Sequence, residues 1–285
     1  MIQIPGGTYA IGTDLPDGFS TDKEGPRISV TIGDFFIDET TVTNQEFEKF
    51  VAATKYVTEA ETFGWSFVFH YFLRDEVKEK SRRVPQLTWW YAVDGADWRH
   101  PEGPGSSIKE RMDHPVVQIS RNDAVAYCQW ADKRLPTEAE WEIAAKGGTD
   151  SERYPWGKEL MENNQYHCNI WQGNFPITND LSDGFAGTAP VRSYEPNGYG
   201  MYQVIGNVWE WCSNPARIDL TDFQHKSAAD FWESNQEKND ARYATRGGSF
   251  LCHQSYCKRY RLAARNGNTG SSAANNLGFR CVRSQ

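Results

Sequence analysis

The chain reads Arg246-Gly-Gly-Ser-Phe-Leu-Cys-His-Gln-Ser-Tyr-Cys-Lys-Arg-Tyr-Arg261 over its most informative stretch. Cys252 and Cys257 stand there among Gly, Ser, His and Tyr, not among the apolar neighbours typical of a packing cysteine. Two thiols that converge on one point form a redox pair or a soft-metal site. This stretch therefore predicts where the chemistry of the protein lies.

The spacing of the two cysteines requires a turn between them. In a straight strand an odd offset puts side chains on opposite faces, so the sulfurs meet only if His253-Gln254-Ser255 turns the chain. Two thiolates without a third protein ligand suit Cu(I) better than zinc, which takes four ligands. From the spacing alone, a plain disulfide and two unrelated cysteines remain alternatives.

Composition excludes several classes of partner. The 285 residues carry a net charge of -8, which disfavours a nucleic-acid phosphate partner. No apolar run is long enough for a membrane helix, and the first residues lack the pattern of a secretory signal, so we expect a cytoplasmic protein unless a leader has been removed. We also expect a monomer. Six cysteines are too few for a disulfide scaffold, whereas the 14% aromatic content indicates a core or binding groove built from flat rings.

Short helices and strands separated by long irregular tracts are predicted. Capping boxes at Thr43–Glu46 and Thr137–Glu140 each start a helix, and a third helix begins near Asn122. Strand signals occupy 8–11, 27–32, 116–119 and 242–246. Tracts rich in Gly, Pro, Asn and Asp cover 97–107, 163–187 and 266–276, and we expect side-chain hydrogen bonds, aromatic packing or metal ions to hold them in place. The polar stretch 214–240 is expected to lie on the surface.

Several blocks of the sequence resemble those of the formylglycine-generating enzymes, or sulfatase-modifying factors. The blocks are Gly247-Gly-Ser-Phe-Leu-Cys-His-Gln-Ser-Tyr-Cys257, Ala263-Ala-Arg265, Asn276-Leu-Gly-Phe-Arg-Cys281, Gly206-Asn-Val-Trp-Glu-Trp211 and Lys133-Arg-Leu-Pro-Thr-Glu-Ala-Glu-Trp-Glu142. Likeness extends to 4–7, 97–104 and 114–117, and so covers essentially the whole chain. The cysteine pair distinguishes the catalytic family from its wider superfamily.

The resemblance implies one α+β domain over residues 1–285, with little regular secondary structure and a core shared with C-type lectins. It also implies a copper-dependent oxidase that uses O2 and an external reductant to convert a cysteine in a sulfatase Cys-x-Pro-x-Arg segment into Cα-formylglycine. Cys252 and Cys257 match the copper-binding thiols. The positions that line the active site in the family match Ser249, His253, Tyr256, Trp209 and Asn276, although each also has an ordinary structural role available.

Calcium is the second ion that the resemblance implies. One set of oxygen ligands maps onto Asn169, Ile170, Asp183 and Phe185, and a second set maps onto Gln203, Gly206, Val208 and Glu210. Carboxylate, amide and carbonyl oxygens are what a hard cation requires, and such an ion would hold the 163–187 tract. Gln203 departs from the asparagine that the family often has.

Three further expectations remain. Cys128 and Cys281 match a pair that is disulfide-linked in secreted family members, but without a visible leader we expect reduced core thiols. The substrate arginine is expected to meet an acidic patch and its proline an aromatic wall, with Trp89, Trp90 and Trp98 as candidates. The rival functions are a noncatalytic lectin-like binding module and an oxidase acting on another protein thiol.

Overall fold

The chain alternates short strands and short helices. A computed structural model describes residues 1–233 and 241–285. The strands are β1 Ile2–Ile4, β2 Gly7–Ile11, β3 Ile28–Ile32, β4 Phe35–Ile37, β5 Trp65–Phe69, β6 Arg82–Arg83, β7 Trp90–Asp94, β8 Met161–Glu162, β9 Gln165–Tyr166, β10 Gly173–Asn174, β11 Thr178–Asn179, β12 Trp209–Pro215, β13 Arg242–Arg246, β14 Asn266–Thr269, β15 Leu277–Gly278 and β16 Val282–Ser284. The helices are α1 Asn44–Thr54, α2 Glu59–Phe63, α3 Asp75–Lys80, α4 Arg121–Trp130, α5 Glu138–Ala145, α6 Asp222–His225 and α7 Ala228–Glu233. The predicted α+β class with little regular structure is confirmed.

Capping boxes set the starts of the longer helices. The Thr43 and Thr137 hydroxyls accept from the backbone N–H three residues on, and the predicted starts of α1 and α5 are confirmed. The third predicted helix is α4, which begins at Arg121 because Ser120 and Asp123 form another box. None of the helices in the described ranges combines the length and apolar composition needed to cross a bilayer.

Strand predictions hold where the backbone stays extended. Strands β2, β3 and β13 confirm the signals at 8–11, 27–32 and 242–246. The strand predicted at 116–119 is wrong, because Gln118 adopts φ 61°, which interrupts an extended chain. The Gln118 side chain is fully buried and donates to the carbonyls of Pro101, at 2.7 Å, and Phe67, at 3.2 Å.

One four-stranded sheet positions the cysteine stretch. Its strand order is β14-β13-β12-β15, with β15 parallel to β12 and Trp209 opposite Leu277. Directly after β13 the chain passes through Gly247 and Gly248 at φ 91° and 79°. A Cβ at Gly247 would lie 2.9 Å from the Val204 carbonyl oxygen, so this tight turn requires glycine. The turn leads directly from β13 into the cysteine stretch at 249–257.

The described part of the 214–240 stretch, which was expected to lie on the surface, packs partly into the core. It contains α6 and α7, and Phe223 and Phe231 are buried with their ring centroids 5.2 Å apart. The two helices therefore contribute to the core, which their weak apolar periodicity did not indicate. The remainder of that stretch, 234–240, lies outside the described residues.

Candidate active site

The two cysteines converge as the turn hypothesis predicts. The His253 carbonyl accepts from the backbone N–H of Tyr256 at 3.0 Å and of Cys257 at 2.8 Å, which closes the turn. The Sγ atoms of Cys252 and Cys257 lie 2.7 Å apart, and both residues are free cysteines. A disulfide bond measures about 2.05 Å, so the pair is a dithiol.

The two thiols differ in their electrostatic surroundings. Burial raises the pKa of Cys252 well above its usual value. The pKa of Cys257 is lowered, first because its sulfur accepts a hydrogen bond from the Cys252 thiol, and further because the Arg259 backbone N–H and guanidinium lie beside it. Arg259 is itself held through its Nε, which donates to Asp22 at 2.5 Å. The first thiolate therefore forms on Cys257, opposite a fixed positive charge.

The donor set fits a soft, two-coordinate metal. No group of three or more His, Cys, Asp or Glu side chains that could hold a metal is present among the described residues. A four-ligand zinc site is thus not supplied there, whereas two sulfur donors match the preference of Cu(I) for thiolates. Cys252 and Cys257 would hold the ion.

Both cysteines lie in the wall of a cavity of about 490 Å³. Its other lining residues include many aromatic and aliphatic side chains together with several amide and hydroxyl groups; they are Phe67, Phe69, Val84, Leu87, Trp89, Trp90, Phe175, Trp209, Thr245, Ser249, Leu251, Tyr256, Arg259, Asn266, Gly267, Asn268, Ser272, Ala274, Asn276 and Leu277. A ligand in this cavity would contact both thiols.

An aromatic wall stands beside the cysteines. The Tyr256 ring stacks on Phe175 with centroids 5.0 Å apart and meets Trp89 edge to face at 5.0 Å. Trp89 and Trp90 line the cavity, as predicted for the groove, but the prediction for Trp98 is wrong because it is fully buried in the core. No Asp or Glu occurs among the described residues that line this cavity, so the expected acidic patch stays a prediction for the surface outside it.

The Ser249 hydroxyl lies in the wall of the cavity. Its Oγ accepts from Asn276 Nδ2 at 2.9 Å and from the Leu251 N–H at 3.3 Å. With its oxygen engaged twice as an acceptor, the hydroxyl is free to donate to a sulfur or oxygen atom in the cavity. Trp209 lines the same region, and its backbone N–H donates to the Asn276 carbonyl at 2.9 Å. Thus Ser249, Asn276 and Trp209, chosen from the sequence, are brought together.

His253 lies beside the cavity and is not among its lining residues. Its Nδ1 is 2.8 Å from Ser255 Oγ, and its ring lies parallel to Phe175 with centroids 6.4 Å apart. Burial lowers the pKa of His253, which favours the neutral ring. A direct role for His253 therefore stays a prediction.

The first predicted calcium set is gathered in space. The Asp183 carboxylate accepts from the backbone N–H of Ile170 at 2.9 Å and of Phe185 at 3.1 Å. Burial raises the pKa of Asp183, and no Arg, Lys or His in the described ranges forms an ion pair with it. The Asn169 Oδ1 atom is buried without a hydrogen-bond partner. The Asp183 carboxylate also accepts from Gln172 Nε2 at 2.8 Å, and Asn169 directly precedes Ile170 in the chain. A carboxylate and an unpartnered amide oxygen are the donor types that a hard cation requires.

The second predicted calcium set fits a cation less well. Gln203 Oε1 is buried without a partner, which suits a ligand. Both Glu210 carboxylate oxygens, however, accept from the guanidinium of Arg280, at 2.6 and 2.8 Å, and one also accepts from Trp141 Nε1 at 2.7 Å. The charge of Glu210 is therefore already neutralised within the core. Position 206 requires glycine, because an added Cβ would clash with the Asn169 carbonyl oxygen.

Sequence reasoning missed Phe175 and Arg259 as site residues. Phe175 lies in an irregular tract far from the cysteines in sequence, so only the fold brings it to Tyr256. Arg259 stands in the sequence between Lys258 and Arg261, and such a run of cations is more typical of a solvated surface than of an active site. The position of Arg259, two residues after Cys257, could have indicated a role beside the thiol. The orientation of its side chain, however, depends on the hydrogen bond to the buried Asp22.

Comparisons with known proteins agree on the family. The model of the sulfatase-modifying factor enzyme 1-like domain matches residues 1–285. The formylglycine-generating enzyme of Thermomonospora curvata is 52% identical over 282 residues, covering 99% of this chain and 92% of that protein. The inactive Cα-formylglycine-generating enzyme 2 of Bos taurus is 45% identical, covering 99% of this chain and 87% of that protein.

A solved structure shows the same fold at low sequence identity. PvdO from Pseudomonas aeruginosa superposes with a TM-score of 0.69 at 22% identity, covering 99% of this chain and 93% of that chain. This likeness concerns the fold alone. Together with the full-length family match, it leads to one conclusion: the chain belongs to the sulfatase-modifying factor enzyme 1-like domain family.

Proposed function

We propose that this protein oxidises a cysteine in a sulfatase-type polypeptide, within a Cys-x-Pro-x-Arg segment, to Cα-formylglycine. One cysteine side chain and one O2, with two electrons and two protons, give the aldehyde, hydrogen sulfide and water. The electrons come from an external reductant of the thiol class. The observation that carries the proposal is the free dithiol of Cys252 and Cys257 in the wall of a cavity that admits a peptide.

Copper is the cofactor we propose for this dithiol. Bound there, Cu(I) would supply a site for the substrate thiolate and for the reduction of O2. Arg259 would balance the negative charge that two thiolates bring into a buried wall. Ser249, oriented by Asn276, would donate its proton to the substrate sulfur or to reduced oxygen.

The aromatic wall would fix the substrate chain. A proline ring stacks well on flat side chains, and Trp89, Tyr256 and Phe175 present such faces next to the thiols. The amide and hydroxyl groups of Asn266, Asn268 and Ser272, which also line the cavity, would then hydrogen-bond the extended peptide. The substrate arginine would find its carboxylate partner outside this cavity, on the enzyme surface or on its own polypeptide.

A structural calcium ion at Asn169 and Asp183 forms part of the proposal, as does a cytoplasmic monomer without nucleic-acid partners. Calcium would stabilise the irregular tract that leads to Phe185. We expect calcium to raise the melting temperature of the wild type and to leave that of Asp183→Asn unchanged. Equal shifts in both proteins would refute the assignment.

Mass spectrometry of a Cys-x-Pro-x-Arg peptide tests the proposed reaction. The peptide is incubated aerobically with copper-loaded protein and a reductant, beside Cys252→Ser and Cys257→Ser controls. We expect loss of hydrogen sulfide and gain of one oxygen atom in the wild-type reaction only. Copper binding without conversion would favour an oxidase for another protein thiol. Neither binding nor conversion would favour the noncatalytic binding module, a reading that the inactive 45% identical relative keeps relevant.

A further inference from the structure

A tryptophan outside the cavity is hydrogen-bonded to the cysteine pair. The Trp171 backbone N–H donates to the Cys252 carbonyl at 3.1 Å. Its side chain is buried and packs edge to face on Phe69 and Phe175, with ring centroids 5.7 and 5.5 Å apart. Trp171 is not among the residues that line the cavity. The indole is therefore coupled to the site through the backbone, and it lies outside the space that a bound peptide would occupy.

The indole N–H of Trp171 is buried without a hydrogen-bond partner. Buried polar groups are nearly always partnered, so this one calls for an explanation beyond packing. The indole N–H becomes strongly acidic when tryptophan loses one electron, but no described group is placed to accept the proton. An oxidised Trp171 would thus keep its proton and, with it, a strong tendency to regain the electron. The ring is suited to pass charge on and poorly suited to retain it.

A partly exposed tyrosine contacts this tryptophan. Tyr71 packs edge to face on Trp171 with ring centroids 5.2 Å apart, and it is 39% exposed. Because the two rings touch, an electron passes between them without crossing intervening atoms. Tyrosine releases its phenolic proton when it is oxidised, and water accepts that proton at an exposed ring. Trp171 and Tyr71 therefore connect the backbone of Cys252 with the solvent.

Two other buried indole N–H groups without partners lack this connection. The ring contacts of Trp98 are with Phe47 and the Arg99 guanidinium, so no tyrosine lies next to it. Trp89 contacts Tyr256, but both of these residues line the cavity, where a bound peptide would cover them. Within the described residues, the combination of an unpartnered indole with a tyrosine outside the cavity is found at Trp171.

We propose that Trp171 and Tyr71 form an electron relay that protects the cysteine pair when O2 reacts there without a peptide. This inference rests on the proposed function, which leaves an oxidising, partly reduced oxygen species at the thiols. That species gains one electron from Trp171 and one proton from water. Trp171 recovers the electron from Tyr71, whose phenolic proton passes to water.

The cycle closes with the same class of reductant that the proposed reaction uses. An external thiol gives one hydrogen atom to the Tyr71 radical, and two of the resulting thiyl radicals combine to form a disulfide. The relay thus consumes reductant in solution, and Cys252 and Cys257 escape oxidation to sulfinic acid, which is not readily reversed.

Spin trapping tests the relay by the position of a radical. Copper-loaded protein is exposed to air with a limiting thiol and a spin trap, in the absence of peptide, and the trap adducts are located by peptide mapping. We expect an adduct on Tyr71 in the wild type and none at that position in Tyr71→Phe, which keeps the ring and removes the phenol. Sulfinic acid at the cysteine pair should form about threefold faster in Tyr71→Phe and in Trp171→Phe than in the wild type.

Tyr199→Phe is the matched control, because Tyr199 is also a partly exposed tyrosine but lines a different cavity, beside Tyr9 and Lys146. It should keep the Tyr71 adduct and the wild-type rate of sulfinic acid formation, and melting curves should show that all three variants are folded. An adduct confined to Tyr256 would overturn the relay, as would equal rates of sulfinic acid formation in the wild type and in both relay variants.

The conversion assay separates the two proposals. Peptide conversion without an adduct on Tyr71 removes the relay and leaves the proposed function. An adduct on Tyr71 without peptide conversion removes the proposed function and leaves the relay, since O2 is then reduced at the thiols for another substrate.

Discussion

Two cysteine pairs lie in this molecule, and they differ in what surrounds them. Cys252 and Cys257 have their sulfurs 2.7 Å apart in the wall of a cavity. Cys128 and Cys281 have theirs 3.5 Å apart, and both residues are fully buried. Convergence of two thiols is therefore not enough to mark a reactive site, because the pairs differ in their access to a cavity and in the Arg259 groups that hydrogen-bond Cys257.

Charge separates the pairs as clearly as access does. Burial raises the pKa of Cys281 well above its usual value, with the Cys128 thiol acting in the same direction. At the other pair, the Cys252 thiol and Arg259 lower the pKa of Cys257. Both members of the core pair are free, as expected for reduced thiols. The cavity pair is thus equipped for thiolate chemistry and the core pair for packing.

Removal of one sulfur from the cavity pair should have the largest effect. We expect Cys252→Ser or Cys257→Ser to reduce peptide conversion at least about 1,000-fold, because a single thiolate cannot provide the two-sulfur site. The melting temperature should change little. Steady-state conversion measured by mass spectrometry checks this, and activity within tenfold of the wild type would break the comparison.

Alkylation should distinguish the pairs next. In metal-free protein at pH 7, iodoacetamide should modify Cys257 more than about tenfold faster than Cys128 or Cys281. The reason is that the thiolate reacts, and only Cys257 combines a lowered pKa with a cavity wall. Peptide mapping over time gives the rates. Equal rates at the two pairs would contradict the electrostatic difference.

Substitution of the cation should slow that alkylation selectively. Arg259→Gln removes a contribution that lowers the pKa of Cys257, so its folded-state pKa rises and less thiolate is present at neutral pH. We expect a rate about fivefold lower at pH 7, with the difference vanishing as the pH rises above both pKa values. Lys258→Gln, which removes the neighbouring cation, should leave the rate unchanged. A fall that persists at high pH would point to lost structure instead.

The core pair should affect stability and spare the reaction. Cys281→Ala removes a fully buried thiol and leaves a small void, so we expect a loss of about 1–2 kcal/mol in the free energy of unfolding. The kcat for the peptide should stay within about twofold. Denaturant titration and the conversion assay measure both quantities, and a stable but inactive variant would place the chemistry at the wrong pair.

Local rules in the sequence predicted the helices and the turn, because each depends on neighbours. Thr43 and Thr137 cap helices through residues three positions away, and His253 closes the cysteine turn within four. The failures depend on distant contacts. The Gln118 backbone adopts a positive φ instead of an extended conformation, and its side chain donates to the carbonyl of Pro101, which is distant in sequence. Phe175 contacts Tyr256 only because the tertiary fold brings the two segments together.

The site residues followed the same division. The family resemblance supplied Ser249, Trp209 and Asn276, and the structure brings all three to one cavity. It did not supply Arg259, whose orientation requires Asp22 from the far end of the chain. Trp98 was predicted to line the groove but lies fully buried in the core, because the sequence alone does not show which side of the fold an aromatic residue faces.

Copper stoichiometry tests the central claim most directly. Cu(I) is titrated against a chromophoric chelator in the wild type, in Cys252→Ser and in the double variant Cys128→Ala/Cys281→Ala. We predict one tightly bound equivalent in the wild type and in the double variant, and none in Cys252→Ser. Retention of that equivalent by Cys252→Ser, or its loss from the double variant, would contradict the assignment of the cavity dithiol as the metal site.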